Sequence, residues 1–98
     1  MKPRSLDQAQ VREMIAEVRA MALLSPGTNA KALARAKHLR FQVQGQDWTP
    51  PYVAGKLNAA YRDLEVLLSP RRWRSVPSLE GLRKDIKSAC SLALSALN

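Results

Sequence analysis
The stretch at residues 49–68, TPPYVAGKLNAAYRDLEVLL, constrains the fold most, because it joins a helix start, a continuous apolar face and a helix stop. Thr49 stands before Pro50 and Pro51, and prolines at the first helical positions lack only donors that would have no intrahelical partner there. The pattern predicts a helix capped by the Thr49 hydroxyl, with Trp48 and Val53 at the spacing of a hydrophobic staple. At about 100° per residue, Val53, Leu57, Ala60, Tyr61, Leu64, Leu67 and Leu68 gather within an arc of about 120°. Asn58, Arg62 and Glu65 lie off that arc. Gly55 is the weak interior position, and Ser69-Pro70 ends the helix.

A helix with one apolar face must bury it against other elements, and the flanking sequence supplies three more. Ser5 with Gln8 reads as a capping box, followed by a helix to about Leu24 whose face carries Val11, Met14, Ile15, Val18, Met21 and Ala22. Ser25-Pro26-Gly27 breaks it. Thr28 or Asn29 can cap a second helix from Asn29 to about Phe41, in which Leu33, Leu39 and Phe41 are the large apolar residues and Ala30, Ala34 and Ala36 fill out the buried side. Residues 42–47, QVQGQD, read as a loop. Ser78 caps a last helix that gathers Leu79, Leu82, Ile86, Ala89, Cys90, Ala93, Leu94 and Leu97 on one side. With no strand alternation and no internal repeat, residues 1–98 read as a single all-α domain, a compact antiparallel bundle of about four helices.

Composition excludes several classes. A single cysteine forbids an intramolecular disulfide, a single histidine argues against a His-rich metal site, and the longest apolar run, residues 20–24, is too short to span a bilayer. The first residues carry charge without an apolar leader segment, so a soluble, cytoplasmic protein is expected, with no membrane partner. Nothing points to catalysis: no acid is placed to pair with His38 or Cys90, there is no Gly-rich phosphate loop, and Cys90 falls on the predicted core face. No enzyme, cofactor or metal is expected.

The formal net charge of +8 favours polyanionic partners, and it is unevenly placed. Residues 28–46 carry +4 with no acid and residues 69–98 carry +4, whereas residues 1–27 and 47–68 carry +1 and −1. Three cationic groups follow. Arg71, Arg72 and Arg74 surround Trp73 between two prolines, and guanidinium groups interleaved with an indole suit phosphate binding and base stacking. The structural alternative is that Trp73 plugs the end of the core while the arginines cap the carbonyls of the central helix. On the second helix Lys31, Arg35 and His38 fall within about 60° of one another, as a solvated cationic face or as a recognition helix after the Gly27 turn. The first helix is long for a helix-turn-helix, and Leu23 stands where close packing would prefer a small residue. On the last helix Arg83, Lys84 and Lys87 form a basic edge, with the Arg83 stem along the core margin. An antiparallel bundle brings the start of this helix near residues 71–74.

Together these features lead to the expectation of a basic accessory or regulatory protein that binds nucleic acid, DNA or RNA, mainly through phosphate contacts. The alternative is a helical adaptor or inhibitor, of the kind phages and mobile elements encode, that docks on an acidic protein and uses the arginines and Trp73 as hot spots.

Overall fold
The computed structural model describes residues 4–97. Four helices, α1 (Gln8–Ala20), α2 (Ala30–Gln44), α3 (Pro51–Leu67) and α4 (Leu79–Ala96), pack against one another, with 3-10 turns at Met21–Leu23 and Arg72–Ser75 and no strand among the described residues. The all-α bundle follows from the four apolar faces. Every residue of the α3 arc is buried, and Leu82, Ile86, Ala89, Cys90, Ala93 and Leu97 of the last helix are buried with them. α3 and α4 share the most extensive helix–helix interface.

Long-range contacts set the directions. Arg12 Nη1 donates to the Leu94 carbonyl, whereas Arg83 Nη2 donates to the Leu24 carbonyl, so α1 and α4 run antiparallel. The Arg35–Glu17 pair and the bond from the Leu6 N–H to Gln46 do the same for α1 and α2, as Arg40 with Asn58 and Gln44 with Ala54 do for α2 and α3. One end of the bundle therefore collects the α1–α2 connection, the end of α3 and the start of α4.

That end is sealed by backbone groups. Gly27 adopts φ +116°, a left-handed conformation costly for any residue with a Cβ. Its N–H donates to the Leu67 carbonyl at 2.9 Å, and the Asn29 N–H donates to the Leu68 carbonyl at 3.3 Å. The Leu67 and Leu68 carbonyls at the end of α3 are thus satisfied by the α1–α2 connection, where the sequence suggested the arginines.

Several helix ends differ from the sequence reading. Asp7 caps α1: its Oδ1 accepts from the Gln10 N–H at 2.8 Å, and Gln10 Oε1 accepts from the Asp7 N–H at 3.0 Å. A box starting at Ser5 would wind Leu6 into the first turn, whereas an Asp7 cap leaves Leu6 outside the helix and buried. Of the two caps the sequence allowed, Thr28 and Asn29, α2 takes Asn29, and it runs to Gln44 because Val43 completes a buried face with Ala36 and Leu39 while Phe41 turns out into solvent. Thr49 does not cap α3. Its hydroxyl donates to the Val43 carbonyl at 2.7 Å, closing the end of α2, and Pro50 occupies the α3 cap position with no side-chain bond. The cap position therefore lies one residue later than expected, and Trp48 is no staple; its indole N–H donates to the Leu6 carbonyl at 3.1 Å.

Candidate polyanion-binding surface
The connection between α3 and α4 is ordered by serines. Ser69, itself buried, accepts the Arg72 N–H at 2.9 Å and donates its hydroxyl proton to the Val66 carbonyl at 2.8 Å. Ser75 Oγ donates to the Arg72 carbonyl at 2.7 Å, and the Arg74 N–H donates to the Arg71 carbonyl at 3.0 Å. Side chains hydrogen-bonding to their own turn in this way hold short 3-10 geometry without help from a long helix. The consequence is a fixed backbone from which Arg71, Arg72 and Arg74 all reach solvent.

Trp73 combines parts of both sequence-based roles. It is half-buried, its indole N–H is buried with no hydrogen-bond partner, and the Arg74 guanidinium lies over its ring at 5.2 Å from the centroid. A ring covered on one side by its neighbour and turned inward at its N–H edge is a poor open platform for a base. It anchors the turn and positions Arg74 through a cation–π contact.

The other candidate cations separate into three fates. Lys31, in the first turn of α2, and Lys84, in the second turn of α4, are exposed at the same end of the bundle as the arginine turn. Lys87 is exposed one turn further along α4 and borders the α1 side. Arg35 and Arg83 are engaged within the fold. Arg35 makes a bidentate pair with Glu17, at 2.6 and 3.1 Å, the one ion pair among the described residues. This hydrogen bond, reinforced by the positive charge, holds the Glu17 carboxyl below its ordinary pKa. Arg83 turns its head inward to the Leu24 carbonyl, and its Nε is buried without a partner.

Clefts open between the helices. One of about 370 Å³ between α1 and α2 is lined by Arg4, Met14, Arg35, His38 and Gln42. Another, of about 340 Å³, lies beneath residues 76–78 and holds Asp63 and Asp85. Burial, and then the nearby Asp85 charge, raise the Asp63 pKa. A further cleft, of about 180 Å³, lies between α1 and α4, where Arg19, Leu23 and Lys87 meet over Ala16 and Ala20. Arg19 was not singled out from the sequence, and Leu23 was weighed only against close helix packing, not as part of a binding surface. Their signal was available, because in the helix the sequence predicts to about Leu24 both fall on the same side, beyond the margin of its apolar arc.

Little here suits covalent chemistry. Burial pushes the Cys90 thiol up to about 11, which keeps it protonated and unreactive near neutral pH. No three His, Cys, Asp or Glu side chains converge among the described residues, and no helix there is long and apolar enough to cross a membrane.

The fold and this surface define the chain as a small cationic four-helix bundle with an arginine turn at one end. Comparison with known protein families, with curated proteins and with solved structures finds no match.

Proposed function
We propose that this protein binds nucleic acid as an accessory or regulatory factor in the cytoplasm, mainly through phosphate contacts from Arg71, Arg72 and Arg74, with Lys84, Lys87 and Lys31 adding to the same field. The observation that carries this is the exposure of three arginines on one serine-braced turn, none of them in an ion pair. A fixed backbone removes the cost of ordering the turn when a phosphate binds, and each planar guanidinium can form two parallel bonds to it. With Trp73 turned inward, affinity comes from the backbone of the nucleic acid and carries little base preference.

The test is fluorescence anisotropy with labelled duplex DNA, single-stranded DNA and RNA, at low and near-physiological salt. Binding weakens steeply with salt, and the R71A/R72A/R74A variant loses most of it. On duplex DNA the slope of log K against log salt becomes shallower by about 0.9 for each phosphate contact removed. Absence of binding in the folded protein, or an unchanged slope in the variant, overturns the proposal.

A further inference from the structure
The seam between α1 and α4 carries a feature that phosphate binding does not use. Leu23 is 69% exposed, the most open of the large apolar side chains on the described surface. It stands at the end of the 3-10 turn that extends α1, beside Ala16 and Ala20, which lie one helical turn apart, and it shares a groove with Arg19 and Lys87. Two alanines at this spacing form a low floor that lets a third helix approach closely, since interaxial distance is set by the side chains at the contact. No carboxylate lines the groove. Glu17 of α1 is turned to α2 through Arg35, and Asp85 of α4 lines the cleft with Asp63.

We propose that this groove is a docking site for an amphipathic helix of a protein partner, with one large aliphatic side chain seated against Leu23, Ala16 and Ala20 and carboxylates on its flanks reaching Arg19 and Lys87. Charge complementarity selects this occupant. A second copy of the same chain, related by a two-fold axis through the groove, would set Arg19 and Lys87 against their own counterparts. A nucleic-acid backbone would pair with the cations but leave the apolar centre unused. An acid-edged apolar helix satisfies both, in the manner of helix-in-groove recognition. Arg19 is primed for the exchange, because it now donates only to the neutral Ser91 hydroxyl at 3.2 Å and would gain a charge-assisted bond to a carboxylate. Apart from Lys87, the groove is distinct from the arginine turn, so a protein partner and a nucleic acid can be held together.

The probe is a synthetic amphipathic peptide of about 15 residues, long enough to be marginally helical alone, with leucines on one face and glutamates beside them. A peptide of identical composition and scrambled order is the control. In an amide ¹H–¹⁵N NMR titration the ordered peptide shifts resonances around residues 16–23 and 87, and Leu23→Ser and Arg19→Glu each weaken it by roughly tenfold or more. Both variants remain folded by circular dichroism. Because neither residue belongs to the arginine turn, nucleic-acid affinity measured in parallel stays unchanged in Leu23→Ser. Equal binding of the scrambled peptide, no binding of the ordered one, or indifference to Leu23→Ser overturns the proposal.

Discussion

Arg83 Nη2 donates to the backbone carbonyl of Leu24 at 3.0 Å, tying the second turn of α4 to the end of the first helix across 59 positions. Leu24 follows the 3-10 turn, where a carbonyl has no helical partner of its own, so the guanidinium does the work of a cap from another element. Arg83→Ala leaves that carbonyl short of a bond and is expected to destabilise the protein by about 1–3 kcal/mol in urea denaturation. Arg83→Lys restores little of this, since an ammonium on a flexible stem does not reproduce the planar fork.

Gln46 is the polar hub of the opposite end. It is only 8% exposed, accepts the Leu6 N–H at 3.0 Å and donates to the carbonyls of Arg4 and Gln42 at 2.7 and 2.9 Å. Gln46→Ala removes three bonds at once and frees the segment before α1. We expect a loss of about 2–3 kcal/mol, with the Leu6 amide losing its hydrogen-exchange protection before the core amides do.

Two glycines separate backbone need from propensity. Gly27→Ala forces a Cβ into φ +116° and is expected to cost about 1–2 kcal/mol, although nothing lies within 4 Å of the added atom. Gly55 sits in α3 in ordinary helical geometry with equally open space, and Gly55→Ala is expected to stabilise by about 0.5–1 kcal/mol. Thermal unfolding of the two variants moves in opposite directions.

Two carboxylates give opposite pH signatures. The Glu17 carboxyl is held below its ordinary value by the Arg35 bond, so its stabilising contribution is present at neutral pH and fades as pH falls through its folded value. Asp63 is raised by burial and by Asp85, so its contribution favours folding in acid and is lost as pH rises through its folded value. Glu17→Gln therefore lowers stability at neutral pH, modestly because the paired side chains are 51% and 43% exposed, and Asp63→Asn raises it. Both differences vanish in acid, as urea titrations across the carboxylate range will show.

Much of the fold is determined by the sequence alone. The buried faces of α3 and α4, the Ser78 cap, a cap for α2 at Thr28 or Asn29 and the stop at Ser69-Pro70 follow from a 3.6-residue period and from bonds that reach three residues along the chain. The arginine cluster at residues 71–74 was legible as a basic run between two prolines, but the run alone leaves open whether it meets solvent or caps α3, and the serines that brace it carried no mark of that role. Tertiary structure decided the rest. Whether Thr49 capped α3 or closed α2, whether Ser5 or Asp7 started α1, and whether Arg35 and Arg83 faced solvent or were bonded within the fold depended on groups brought near only by packing. Gln46, 40 positions from Leu6, carried no local mark of its role as a hub. A cap or a cation takes the best partner within hydrogen-bond reach, and in a four-helix bundle the helix directions choose that partner.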